Sequence, residues 1–318
     1  MDIKTFDNSF FMTIHKSVLL NEAISGLNLK PGDIFFDGTL GGGGHSKKVC
    51  ELFGKSVKII GVDRDSQAVR RATDKFKSLE CDFSFQTASF RNIDKVLDNL
   101  NIKAVNGILL DLGLSSDQIE ESSRGFTFQK DEPLRMTFSS ESGDGEVTAQ
   151  TILNEWSEET LADILFGYAD ERYARRIAKK IVERRQVKPI EKTFELVEIV
   201  KSAVPIGYQK GRMHFATKTF QAIRIAVNDE IEALKEGLAK GYERLAAGGR
   251  IAVISFHSGE DRIVKNFFKE KKMVGNGFAT TKKPITASEE ELGRNPRARS
   301  AKLRIFEKSK IDMGQNER

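Results

Sequence analysis

The sequence is poor in cysteine, tryptophan, histidine and proline, and these shortages exclude several kinds of protein. Among 318 residues there are 2 Cys, 1 Trp, 4 His and 6 Pro. Two cysteines, Cys50 and Cys81, cannot form the disulfide framework of a small secreted domain, and they indicate a reducing compartment. The four histidines show no ligand spacing with the cysteines, so no metal site is predicted.

The chain also lacks a long apolar segment. No run approaches the roughly 18 residues of a membrane span, and the first residues include Asp2 and Asp7 without the apolar core of a signal peptide. We therefore expect a cytoplasmic protein with no membrane partner. The formal net charge of +5 is mildly basic, which is compatible with a nucleic-acid partner but does not identify one.

What the sequence does contain is a glycine-rich turn between two apolar runs. The first run, 34–37, leads into four consecutive glycines at 41–44, and the second, 58–63, ends in Asp63. This order predicts a strand, a tight turn, a crossover helix and a parallel strand, with the acid placed to hold ribose hydroxyls. No G-x-G-x-x-G pattern fits the glycines, so the ligand need not be a dinucleotide, and a plain glycine-rich turn is the alternative.

Three further apolar runs, 83–87, 105–111 and 250–255, alternate with helical patterns. The alternation predicts an α/β fold with a mostly parallel sheet, whose strand ends face the ligand. Phe90 follows the first of these runs, where it could stack on a base or simply belong to the core. Asp111 ends the second, where it is either a tuned functional carboxylate or a loop cap.

The alternating pattern stops after residue 118 and resumes at about 213. Between them lie helical patterns at 157–168, 171–186 and 193–204, so we expect a helical domain, 119–212, inserted into a discontinuous α/β domain, 1–118 and 213–318. Seven cations crowd the middle helix, which favours phosphate binding over a merely solvated face. We also expect one long helix from Phe215 to about 245, an irregular basic segment at 269–284 and a final edge strand at 301–306.

Several short motifs in a fixed order resemble one family, the bacterial small-subunit ribosomal RNA cytosine N4-methyltransferases (RsmH or MraW). The resemblance covers roughly residues 15–306. It is carried by the following stretches: His15 to Leu20, Asp37-Gly38-Thr39 with Gly43-Gly44-His45-Ser46, Asp63-Arg64-Asp65, Leu109 to Gly113 with Ser115-Ser116, Arg124-Gly125-Phe126, Thr219 to Ala222, Ser255 to Ser258 with Glu260-Asp261-Arg262, and Asn295 to Ser300.

The resemblance implies a Rossmann-like class I fold that binds S-adenosylmethionine (SAM). It also implies methylation of a cytosine in the decoding centre of 16S ribosomal RNA, in the small subunit or a late assembly intermediate, with no obligate protein partner evident. By the family pattern the SAM contacts fall on these residues: Gly43, Gly44, His45, Asp63, Phe90, Asp111 and Gln118.

We expect a few residues to have chemical roles. We expect Asp111 and Ser115 to act at the reacting amine, Phe126 to stack on the cytosine, and Arg175, Arg176 and Lys179 to contact RNA. One departure concerns substrate contacts: after Pro133-Leu134 the family has Asp-Met-Arg-Met, whereas this chain reads Arg135-Met136-Thr137-Phe138. The alternatives are a non-catalytic or redox nucleotide-binding protein of the same architecture, and methylation of a protein or small molecule.

Overall fold

The computed structural model describes residues 17–115, 118–119, 123–140 and 146–310. His15 and Lys16, at the start of the first family motif, and Ser116 and Asp117 lie outside the described residues. Within the described part of the chain, no helix is both long and apolar enough to span a membrane.

A seven-stranded sheet forms the centre of the fold. Its strand order is β3-β2-β1-β4-β5-β7-β6. Strands β1 to β5 run parallel, and β7 is antiparallel to both β5 and β6. The strands are β1 Ile34–Asp37, β2 Lys58–Asp63, β3 Asp82–Thr87, β4 Val105–Asp111, β5 Leu245–Ser255, β6 Gly277–Ala279 and β7 Lys302–Lys308. Parallel strands connected by helices, with the order reversing beside β1, give the Rossmann-like class I fold expected from the sequence.

Helices cover both faces of the sheet and fill the connection between β4 and β5. Those packed around the sheet are α1 Leu20–Leu27, α2 Gly44–Phe53, α3 Ser66–Phe76, α4 Ile93–Asn99, α11 Glu230–Glu243, α12 Ser258–Met273 and α13 Glu289–Arg294. Those between β4 and α11 are α5 Ala149–Glu155, α6 Glu158–Ala169, α7 Ala174–Arg185, α8 Thr193–Ala203, α9 Ile206–Gln209 and α10 Thr217–Asn228.

The buried apolar residues form one cluster on each face of the sheet and one among the inserted helices. Strand residues alternate between the two sheet clusters: Phe35 packs with α1 and α2, whereas Phe36 packs with α4 and α11. The inserted helices surround a separate cluster that contains Leu161, Ile177 and Leu196. This cluster also includes Phe220 from α10, beyond residue 212. The domain boundaries at 118 and 212 stay a prediction.

Two local expectations for the C-terminal half were wrong. The expected long helix is broken at Asp229, whose φ of 51° lies in the left-handed region that only short polar residues and glycine adopt readily. The side chain of Asn228 contributes to the break, since it receives the N–H of Phe138 and donates to the carbonyl of Met136. Long-range bonds of this kind leave no periodic signal in the sequence.

The end of the chain also differs from expectation. The segment 269–284 is not irregular throughout, because α12 extends to Met273 and residues 277–279 form β6. As a result β7 lies between β5 and β6, and β6 takes the edge position that was expected for β7. A three-residue strand is too short to show the alternation by which strands are recognised in a sequence.

The structure pairs the two cysteines, which were not expected to form a structural link. Cys50 at the end of α2 and Cys81 just before β3 form a disulfide, with their Cα atoms 5.6 Å apart. The separation lies within the normal range for a disulfide. The two cysteines are 31 residues apart in sequence. They meet because the chain leaves α2, passes through β2 and α3, and comes back beside the end of α2 where β3 begins.

Candidate active site

The carboxyl ends of β1, β2 and β4 open into one cavity of about 380 Å³. The loops that follow these strands line it, as the topology of an open parallel sheet requires. Two segments that are distant in sequence close one side of the cavity and form its roof. They are Ser17-Val18 before α1, and residues 294–297 at the end of α13 and just after it. The backbone N–H of Leu19 donates to Glu291 Oε1 at 2.7 Å, which holds the two parts of the roof together.

The glycine loop lies at one end of the cavity and turns tightly after β1. Gly41 and Gly43 have positive φ, 48° and 73°, which glycine adopts without strain. Gly44 starts α2, and a Cβ there would lie 2.0 Å from Ser17 Oγ, so a larger residue would displace the Ser17 side chain from its place against the loop. Gly41, Gly42 and Gly44 line the cavity, whereas Gly43 faces the ring of Phe76.

Asp63 lines the cavity beside this loop and organises it. Its Oδ2 accepts from the N–H of Gly41 at 2.8 Å, and its Oδ1 accepts from the N–H of Asp65 at 2.9 Å. Burial raises the pKa of Asp63, while the two backbone donors act in the opposite direction. The carboxylate therefore holds both the glycine turn and the start of α3.

At the end of β4 lies the carboxyl group of Asp111. Its Oδ2 lies 3.8 Å from His45 Nδ1, and its Oδ1 is buried without a hydrogen-bond partner in the described part of the chain. Burial, together with the negative charges of Asp37 and Glu260, raises the pKa of Asp111 well above its ordinary value. A buried acceptor left unsatisfied costs free energy unless a bound group donates to it.

A second buried carboxyl group lies behind the glycine loop. Asp37 is 1% exposed, and burial raises its pKa to about 6 in spite of bonds from Ser46 and the backbone of Thr39. Thr39 connects the strands as well, because its Oγ1 accepts from the N–H of Asp111 at 2.7 Å. The carboxyl groups of Asp37 and Asp111 thus lie at the ends of two adjacent strands, β1 and β4.

Ser115 and Gln118 cap each other beyond β4. The N–H of Ser115 donates to Gln118 Oε1 at 3.1 Å, and the N–H of Gln118 donates to Ser115 Oγ at 3.2 Å. Both residues line the cavity. The hydroxyl of Ser115 therefore accepts one bond, and its own hydrogen can donate to another group.

Sequence reasoning missed several residues of the cavity wall. Its further lining includes Arg64, Phe138, Asn228, Glu230, Phe256, Glu260 and Arg297. Glu230 forms a bidentate pair with Arg224, at 2.7 and 2.9 Å. Phe90 lines the cavity as expected for its position after β3, and Arg64 lies over the ring of Phe138 at 5.5 Å. Phe256 could have been identified from the sequence, since it directly follows the predicted strand 250–255.

The loop before the inserted helices is fixed to the cavity by one buried arginine. Arg124, 6% exposed, pairs with Asp65 at 2.7 Å and donates to the carbonyls of Thr137 and Phe138. Phe126, by contrast, is only 8% exposed and packs in the cluster of the inserted helices. It is not among the residues that line the cavity.

The predicted RNA-contacting residues lie on α7, on a separate surface. Arg175 and Arg176 are exposed, and no carboxylate pairs with either within the described residues. Arg176 and Arg172 lie over the ring of Tyr173, at 5.6 and 5.0 Å. Lys179 lies 4.0 Å from Glu183 in an exposed pair.

Three kinds of comparison relate the chain to known proteins. In the solved structures, an rRNA methylase from Streptococcus thermophilus is 11% identical over 92% of this chain and 98% of that one, with a TM-score of 0.40. NSun6 from Pyrococcus horikoshii, solved with the ligand SFG, is 12% identical over 93% of this chain and 53% of that one, with a TM-score of 0.45. The fold assignment rests on strand order rather than on these loose superpositions.

The sequence relatives are much more similar. Proteins called ribosomal RNA small subunit methyltransferase H from Brevibacillus brevis and Heliobacterium modesticaldum are 41% and 44% identical to it, each over 92% of this chain and 98% of theirs. The model of the MraW methylase family matches residues 12–309. The chain therefore belongs to the MraW methylase family.

Proposed function

We propose that the protein transfers the methyl group of SAM to the exocyclic N4 amine of a cytosine in the decoding centre of 16S rRNA. Membership of a methylase family and the printed names of relatives that act on ribosomal RNA of the small subunit support this substrate class. The small subunit or a late assembly intermediate would then be the partner, which places the protein in the cytoplasm.

The residues of the cavity fit SAM. Asp63 offers a carboxylate for ribose hydroxyls, Phe90 an aromatic edge for the adenine, and the glycine loop a close approach of the backbone at the start of α2. Gly44, His45 and Gln118 complete the expected set of lining residues, whereas Gly43 would act through the shape of the turn. When bound, SAM supplies an activated methyl group with a neutral thioether as its leaving group.

The observation that carries the proposal is the unsatisfied Oδ1 of Asp111 in the cavity wall. An exocyclic cytosine amine is a weak nucleophile, because its lone pair is delocalised into the ring. As the new N–C bond forms and the methyl–sulfur bond breaks, N4 must lose a proton. Asp111 is placed to accept a hydrogen bond from the amine and then its proton, and burial makes it a stronger base than an exposed aspartate.

The other predicted residues are proposed to position the RNA substrate. Ser115, with its free hydroxyl hydrogen, is proposed to contact the base beside Asp111. The predicted stacking of Phe126 on the cytosine would require its ring to leave the packed cluster. Arg175, Arg176 and Lys179 are proposed to contact RNA phosphates, outside the cavity.

Product analysis tests this function. Small subunits that lack the modification, free 16S rRNA and ribosomal proteins are incubated separately with the protein and tritiated SAM, and the labelled RNA is digested to nucleosides. We expect tritium in N4-methylcytidine. Label only in protein, or only in another nucleoside, would contradict the proposal, and tight NADH binding without SAM binding would favour the redox alternative.

A further inference from the structure

The base-binding end of the cavity contains an aromatic ring to which the sequence pattern assigned no role. Phe256 directly follows β5, and the register of the parallel strands pairs Asp111 of β4 with Ile254. Phe256 therefore lies two residues beyond the partner of Asp111, at the same edge of the sheet. Both side chains line the cavity.

The backbone of the neighbouring loop lies close to this ring. Gly113 has a φ of 105°, which is accessible essentially to glycine alone, and a Cβ there would lie 3.5 Å from Phe256 Cδ2. The ring thus lies against the backbone of the loop that leads from Asp111 to Ser115, without a side chain between them.

The turn that carries Phe256 is held by a buried carboxylate. Glu260, 3% exposed, accepts from the N–H of Phe256 at 2.8 Å and from that of His257 at 3.3 Å. The imidazole of His257 in turn caps α12 through the N–H of Glu260. The backbone that carries the ring is therefore held by hydrogen bonds, which suits a platform for a flat ligand.

The other two phenylalanines that line the cavity have different neighbours. Phe138 lies beneath the guanidinium of Arg64, the residue next to Asp63. Phe90 packs closely on Gly38 and Gly237, where any side chain would clash with its atoms. Of the three rings, Phe256 is the one that a Cβ on Gly113 would contact.

We propose that Phe256 is the platform on which the target base stacks, with the edge of the base directed at Asp111. The inference rests on the proposed function, because it assigns a substrate contact in the same cavity. An aromatic ring beside a carboxylate acceptor suits a flat heterocycle that carries an amine. The loop from Asp111 to Ser115 contains no aromatic residue of its own.

Substitution at position 256 tests the inference. Phe256→Leu keeps an apolar side chain but removes the aromatic face, and base–aromatic stacking predicts a fall in kcat/KM for RNA of about 5- to 150-fold. Phe256→Tyr retains the face and should restore the rate. The Kd for SAM should not change in either variant, and Phe278→Leu, the same change on the exposed β6, should leave every parameter unaltered.

Two results would overturn the inference. One is wild-type kcat/KM in Phe256→Leu; the other is a rise in the SAM Kd that matches the loss of kcat/KM, which would make the ring a cofactor contact. Ultraviolet crosslinking of RNA with 5-iodocytidine at the methylated position gives a direct check, because the adduct should map to Phe256. If the wild-type protein methylates no RNA, the proposed function itself fails. That outcome is distinct from any difference between the wild type and the variants.

Discussion

At the scale of single residues, three carboxyl groups at the ends of β1, β2 and β4 differ in their hydrogen-bond partners. Asp63 has two backbone donors, Asp37 has a serine and a backbone donor, and Asp111 has an oxygen left without a donor in the described structure. The sequence indicated Asp63 and Asp111 from their places at strand ends. It could not indicate which acid would be satisfied, because that depends on how the glycine turn and the starts of α2 and α3 fold around each carboxyl group.

Replacement of Asp63 should weaken cofactor binding. Hydrogen bonds to a charged group contribute roughly 1.5–3 kcal/mol, so Asp63→Ala should weaken SAM binding about 10- to 150-fold in calorimetry. Asp74→Ala, which removes an exposed carboxylate paired with Lys77, provides the control. An unchanged SAM Kd in Asp63→Ala would exclude the residue from the cofactor site.

Asp37 should make the protein less stable as the pH rises. Its folded pKa of about 6 lies above the unfolded value, so its contribution is complete below about pH 4 and is lost as the pH rises through 6. A shift of about 2 units corresponds to roughly 3 kcal/mol. Asp37→Asn should therefore be more stable than wild type at pH 8 by up to that amount and similar at pH 4, as measured by urea unfolding. A variant that is less stable at both pH values would contradict this.

At the scale of elements, the sequence predicted those whose signal is local. The runs of β1, β2 and β4 match the expected bounds, and the side chain of Ser157 caps α6 at the start of the helical pattern 157–168. The break at Asp229 and the strand order at the C-terminal edge depend on partners that are far away in sequence. Periodicity reports only which face of an element is buried, and it does not name what buries it.

The link between Arg124 and Asp65 should matter for stability. Removal of one partner of a buried ion pair typically costs about 3–5 kcal/mol, because the other charge stays buried. Arg124→Ala should lose stability of that order in denaturant unfolding. Arg294→Ala, which breaks an exposed pair with Glu290, should lose no more than about 1 kcal/mol. Similar losses in both variants would mean that the buried pair has no special role.

Helix α7 should supply salt-dependent RNA affinity. For single-stranded RNA the slope of log K against log salt falls by about 0.7 for each phosphate contact removed, so Arg175, Arg176 and Lys179 changed together to Ala should flatten it by about 2. SAM binding should not change. The control replaces three exposed lysines that pair with carboxylates, Lys77, Lys201 and Lys235. Equal slopes for wild type and the α7 variant would mean that these side chains are only solvated and do not bind RNA.

At the scale of the whole molecule, the cavity is assembled from nearly the full length of the chain. Ser17, Asp63, Asp111, Phe256 and Arg297 all line it, although almost 300 residues separate the first from the last. The sequence located the cofactor end through the glycine loop and its acid. The opposite end and the roof were not predicted from the residues themselves, because they depend on how β5 and the segment after α13 pack beside β4.

The central claim is that cofactor and target amine meet at Asp111, and single-turnover methyl transfer tests it most directly. With saturating SAM and RNA, the wild-type rate should rise with pH through the raised pKa of Asp111, because only the ionised carboxylate accepts the proton. Asp111→Asn should lower the rate about 100-fold or more and remove this pH dependence. A near wild-type rate in Asp111→Asn, with the same pH profile, would contradict the claim.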